Sequence, residues 1–243
     1  MRSTYFRKPL EFSIEVDGEN WKQGDSVTGI IKVSSHSSES INFSEFGIFL
    51  CIGDQKKILK KDPKGITIIE ESILSSNEQK FSFKLDENCQ ITQKSSGPYL
   101  IIGKKEELLE GHHLALQVGA SELVTNILEV IENFMRFKVK SLKPKKDSLE
   151  AVITLPTTKE FIPITSFKIN LKKSGDELLL NYDFKVKKVS FEGGATTTKD
   201  ESKSFSTALT PKEYLIYGSS LNQDAIVKKV SEVLDEVKFK PII

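Results

Sequence analysis

The residues able to carry chemistry are few and scattered. His112 and His113 are adjacent, while His36 stands far away in a serine-rich stretch. Neighbours on a strand point to opposite faces, so the pair does not grip one metal ion, and no HExxH, CxxC or HxH spacing accompanies it. Cys51 lies in an apolar run and Cys89 near a strand end, neither with a histidine placed to act as its base, so both read as free thiols rather than nucleophiles. There is no GxSxG, and Gly193-Gly194 belongs to neither a P-loop nor a dinucleotide fingerprint. No cofactor and no metal is expected, and an enzyme would need a site assembled from distant loops.

The densest charge feature is Arg136, Lys138, Lys140, Lys143, Lys145 and Lys146, six cations in eleven residues with no acid among them. Such a segment could meet anionic lipid headgroups, where each lysine is worth about 1 kcal/mol, or an acidic protein partner. A solvated linker or an edge strand guarded by lysines explains it as well. Elsewhere charge is balanced, 35 Lys and Arg against 34 Asp and Glu, so nucleic acid is not expected as the principal partner. Only Arg2, Arg7 and Arg136 are arginines, which leaves no cluster of planar forks for bidentate phosphate recognition.

The elements that must position these groups are mostly strands. Residues 12–35 read as two strands around a turn at Gly24-Asp25, with Phe12, Ile14 and Val16 alternating with polar neighbours. Gly29 in the second strand marks a bulge or a close approach of another backbone. Residues 43–52 present Phe46, Ile48, Leu50 and Ile52 on one side and Phe49 and Cys51 on the other, as in a strand buried on both faces. A lysine-rich loop follows, then strands near residues 66–69, 81–85, 99–103 and 113–118. Ser121 is placed to cap a helix over 121–135, in which Leu123, Val124, Ile127, Leu128, Ile131, Phe134 and Met135 recur at spacings of three and four. After Pro144 the strands resume at 167–171, 178–186 and 189–191. A polar loop is expected over 193–204, a strand at 214–217, and a second amphipathic helix near 224–237.

Two domains are expected, 1–145 and 146–243, both mainly β and each followed by its helix. The halves echo one another: FSIEV with QGDSVTGIIKV against FKINL with SGDELLLNYDFKV, PYLIIG against EYLIYG, then a helix, then Phe137-Lys138 against Phe239-Lys240. This suggests a duplicated unit.

The strand, the glycine turn followed by an acid, Val-x-Gly and an apolar strand in residues 12–33, a third strand ending near Gly53, and the F-x-F-x-L of Phe81, Phe83 and Leu85 together resemble the amino-terminal β-sandwich of arrestin-like proteins. That family includes arrestins, the retromer cargo-binding subunit and bacterial sporulation-control relatives. The resemblance covers residues 12–103 and implies two tandem, immunoglobulin-like β-sandwiches in a non-enzymatic adaptor, with scaffolding or sorting roles and a protein partner. The buried arginine–aspartate core of arrestins is not assigned here, so phosphate-sensed activation is not carried over. A duplicated α+β, clamp-like architecture is the structural alternative, although Glu122, Glu129 and Glu132 on the first helix argue against a DNA-encircling ring. A small-ligand or anionic-lipid binding module is the functional alternative. The absence of a signal-like or membrane-length apolar run points to a cytoplasmic protein, of open oligomeric state.

Overall fold

The computed structural model describes residues 1–37, 40–192 and 195–238. The chain is mainly β and divides into two compact units, Met1–Ser121 and Glu122–Ile243. None of its helices is long and apolar enough, among the described residues, to cross a membrane.

The first unit contains β1 (Arg2–Arg7), β2 (Leu10–Val16), β3 (Asn20–Lys22), β4 (Ser26–Ser35), β5 (Phe46–Asp54), the short helix α1 (Gln55–Leu59), β6 (Ile66–Ile73), β7 (Glu78–Lys84), β8 (Ser96–Lys104), β9 (His112–Ala115) and β10 (Gln117–Gly119). Two four-stranded sheets, ordered β1-β2-β4-β7 and β6-β5-β8-β9, face one another. Phe12, Ile14, Val27, Ile31 and Phe83 of one sheet and Ile48, Leu50, Leu100 and Ile102 of the other fill a single core. The period-2 alternation of β2 is what delivers this, because one face of the strand is apolar and the other meets solvent. β5 is buried on both faces as its sequence indicates: Phe49 and Cys51 join Ile101 in a second cluster, packed by Ile66, Ile68 and Leu108. The lysine-rich segment after it is not a plain loop. Asp54 caps α1 by accepting from the N–H groups of Lys56 and Lys57 at 2.9 and 3.2 Å.

β2 and β4 pair antiparallel as expected, but the chain between them makes an excursion. β3 leaves the hairpin and pairs parallel with β10, setting Trp21 opposite Val118. Gly29 owes its place to close approach: a Cβ there would lie 2.3 Å from the Glu15 carbonyl oxygen and 2.6 Å from the Phe81 ring.

The second unit opens with α2 (Glu122–Asn133), then β11 (Lys138–Pro144), β12 (Leu149–Thr154), β13 (Ile164–Ser174), β14 (Glu177–Glu192), β15 (Ala195–Leu209), the single turn α3 (Pro211–Tyr214), the two-residue strands β16 (Leu215–Ile216) and β17 (Ser220–Leu221), and α4 (Gln223–Asp235). β11 to β15 form one antiparallel sheet in sequence order. Its buried face carries Ala151, Ile153, Phe167, Ile169, Leu180, Tyr182 and Phe184, with Phe167 stacked on Phe184 at 4.5 Å. The second layer comes from helices: α2 packs on β11 and on α4, and both helices bury an apolar face.

Some expectations change here. The division between units falls at Ser121 rather than near residue 145, because α2 belongs with the strand that follows it: the Phe137 N–H donates to the Ile131 carbonyl and the Val139 N–H to the Glu132 carboxylate. Of the two structural readings of the basic segment, a solvated linker and an edge strand guarded by lysines, the second holds. The second unit has one five-stranded sheet backed by helices, with β16 and β17 as a separate two-residue pair, and not two facing sheets, since only one face of the large sheet is apolar. Residues 195–204 are not a polar loop but most of β15, paired without a register break to β14; the threonines of this run are β-branched and suit a strand even without apolar alternation. Gly193-Gly194 and Phe239-Lys240 lie outside the described residues. One part of the echo between the halves does not carry into structure: PYLIIG is the central part of β8, whereas EYLIYG spans the end of α3, β16 and a turn in which Tyr217 and Gly218 have φ of 53° and 78°.

Candidate functional site

β11 is an outer strand of its sheet, and the six basic residues lie on it or immediately beside it. All six are exposed. Arg136, just ahead of the strand, adopts a left-handed φ of 58°. Lys138 and Lys143 stand opposite Thr154 and Glu150, and Lys140 occupies the register break between Val139 and Ser141. At about 3.3 Å per residue the cations form a line of about 20 Å. Lys145 shares Glu150 with Lys168, their Nζ atoms at 3.5 and 3.3 Å from its Oε2. Glu150 is 8% exposed and is the carboxylate that balances this part of the sheet. Arg136, Lys138, Lys140 and Lys143 have no ion-pair partner among the described residues.

The outer edge of β11 is poorly suited to receiving another strand. The Lys145 N–H bonds inward to the Ser148 carbonyl, so Pro144, Leu142 and, across the bulge, Val139 turn their backbone groups outward. The Val139 N–H is taken by Glu132 at 2.9 Å, and Pro144 has none to offer. Bulge, proline and lysines are the devices by which edges are kept from pairing. What the edge offers is positive charge.

Beside it, the end of β12, the 155–163 connection and the start of β13 enclose a cleft of about 520 Å³. Of the six cations Lys140 alone reaches its lining, which combines hydroxyls such as Thr154, Thr158 and Thr165 with Phe161, Ile162 and Phe167. Ile162 is 69% exposed at the rim. The sequence signal for this cleft was slight: two prolines, Pro156 and Pro163, bracketing a threonine-rich run.

The other chemistry-bearing residues take structural places. Burial pushes the Cys51 thiol up to about 12 and the Cys89 thiol, also beside Asp86, up to about 11, which keeps both protonated and unreactive near neutrality. Arg7 pairs with Glu107 and Arg2 with Glu15. His36 lies 3.0 Å from a Glu11 carboxylate oxygen. His112 stacks on Tyr5 at 5.5 Å with its Nε2 2.6 Å from the Ser3 hydroxyl, and the His113 Nε2 lies 2.8 Å from the Leu108 carbonyl. The pair thus helps hold β1 against β9 and its flanking turn, and no group of three or more metal-ligating residues occurs among the described residues.

These histidines carry a pH prediction. Burial lowers both below their ordinary 6.5, His113 adding to the effect at His112, so the folded state favours the neutral rings. A base whose folded pKa is depressed loses stability as pH falls below its unfolded value, and the loss levels off below the folded pKa. Thermal melts from pH 8 to 5 are expected to show a decline beginning near pH 6.5, and a His112→Gln, His113→Gln variant should show a shallower decline in that window. An unchanged slope would remove the histidines as its cause.

Comparison with solved structures returns a sporulation protein. The chain is similar to Spo0M, the sporulation control protein of Bacillus subtilis, with a TM-score of 0.64 and 13% sequence identity over 95% of this chain and 100% of that one. Identity at this level shows a shared fold and nothing finer. Alpha-2-macroglobulins of Escherichia coli and Salmonella overlap at TM-scores of 0.31 and 0.33, with 10% and 9% identity, covering 84% and 87% of this chain but 20% and 15% of theirs; these carry no weight. No family model and no curated protein matches the sequence.

Proposed function

We propose that the protein is a non-enzymatic interaction scaffold or adaptor with an arrestin-like first unit, and that it holds an acidic stretch of a protein partner along the basic edge of its second unit. The setting that suits two reduced thiols, Cys51 buried and Cys89 half-buried, is the cytoplasm. The observation that carries the proposal is the row Arg136, Lys138, Lys140 and Lys143, exposed and without an ion-pair partner among the described residues, on or just ahead of a strand whose backbone edge is closed to pairing. A linear array suits an extended acidic chain better than a flat bilayer, which could not meet cations distributed along both faces of a strand. The fold shared with a sporulation control protein supports a regulatory rather than a catalytic role, and sorting-like tasks are what the arrestin-like resemblance adds.

The test is binding of a fluorescent acidic peptide, and of vesicles with and without phosphatidylserine, to the wild type and to a Lys138→Ala, Lys140→Ala, Lys143→Ala variant. Peptide binding should weaken steeply with salt, and should drop by about two orders of magnitude in the variant at about 1 kcal/mol per lysine. Capture by anionic vesicles alone would replace the protein partner with a lipid surface, and capture by neither would overturn the proposal. The 520 Å³ cleft favours a second reading, a small anionic ligand with an apolar body seated on Phe161 and Phe167 against Lys140.

A further inference from the structure

The opposite edge of the second sheet is open where β11 is closed. β15 runs for 15 residues with an unbroken register against β14, and it contains no proline. The Lys187 N–H donates to the Pro163 carbonyl, away from β15, and Lys187 stands opposite Asp200. Alternation then turns the backbone groups of Asp200, Ser202, Ser204 and Ser206 outward, to the free edge. Among the described residues no backbone group from Thr198 to Ala208 has a partner on that side. β14 and β15 also outrun the sheet: β13 ends its pairing at Val186, so among the described residues the strands over 188–192 and 195–199 pair only with one another. A bare two-stranded ribbon is marginal in water.

We infer that β15 pairs antiparallel with β15 of a second copy of this chain, about a twofold axis at Ser202, joining two five-stranded sheets into one. Three independent features choose that centre. Ser202 is the midpoint of Ala195–Leu209, so pairing about it engages the whole strand with no overhang. Ser202 is an outward-facing residue, so it can exchange both backbone hydrogen bonds with its own copy. Pairing about Ser202 also sets Glu201 of each copy opposite Lys203 of the other, twice. Neighbouring centres fail on charge: an axis at Glu201 opposes Glu201 to itself and Lys199 to Lys203, and one at Lys203 opposes two lysines. Each projecting ribbon then gains the root of the partner's β15 as a third strand, and half-buried Phe205 comes opposite the partner's Lys199.

Sedimentation equilibrium of the full chain tests this. The wild type should weigh twice its 27.3 kDa. Ser202→Pro removes an outward N–H and no bond to β14, so it should keep its circular dichroism and become monomeric. Should that variant not fold, the charge series decides: Lys203→Glu should weaken dimerisation about tenfold by placing like charges in both central pairs, and Glu201→Lys with Lys203→Glu should restore most of it, less what Glu201 gives Lys188 at 3.8 Å. A wild type monomeric at every concentration, or a dimer indifferent to Ser202→Pro and to the charge series, overturns the inference. Neither outcome touches the acidic-peptide test, which reads a different edge.

Discussion

Gly29→Ala is expected to destabilise the first unit by about 3 kcal/mol or more and to lower its melting temperature by roughly 10 °C. The new methyl would meet the Glu15 carbonyl oxygen at 2.3 Å and two Phe81 ring atoms at 2.6 and 2.9 Å. The ring could turn, but the carbonyl belongs to β2, whose Val16 pairs with Gly29 itself. Relief therefore means prising β2 from β4 in the middle of one sheet of the sandwich. Gly175→Ala is the contrasting control. That residue has open space around it and a φ of 59°, so only backbone strain of about 1 kcal/mol is at stake. Denaturant titration should rank the two in that order, and equal midpoints would show that the steric clash does not govern position 29.

Phe184→Ala should cost about 3 to 5 kcal/mol in the second unit. The ring is buried, stacked on Phe167 with planes 7° apart and set edge-on to Phe205 at 6.0 Å. Its removal leaves a cavity bordered by two rings that cannot both collapse into it. Combining it with Phe167→Ala should cost less than the two single losses together, since the stack is counted in each. Strict additivity, or a Phe184→Ala loss under about 1 kcal/mol, would mean that the sheet's apolar face is held elsewhere.

The first sandwich was largely legible, because its strands obey simple periodicities. β2 alternates, β5 is apolar on both faces, and of the two readings of Gly29, a bulge or a close backbone approach, the second holds. Both long helices were legible from spacings of three and four, although α2 buries Val124, Ile127, Val130 and Ile131 and leaves Phe134 58% exposed. The second unit was not, for two physical reasons. The hydroxyl-rich and charged run 195–204 carries no apolar alternation, because much of it lies beyond the layered core that would demand any. The basic stretch 136–146 left a linker and an edge strand both open, because lysines suit either. Of the candidate site, the cations were readable, with an edge strand as one reading of them, and the closing of that edge was not, since it depends on β12 lying beside them and on Glu132 reaching over from α2.

The unequal edges of this one sheet also set a limit on growth. A sheet open on both sides can add neighbours without end, which is the route to fibres. Here one margin is sealed by a bulge, a proline and the Glu132 carboxylate, and the other is consumed by a single twofold contact. Growth of this sheet stops at two copies, leaving a ten-stranded ribbon that ends in lysines on both sides.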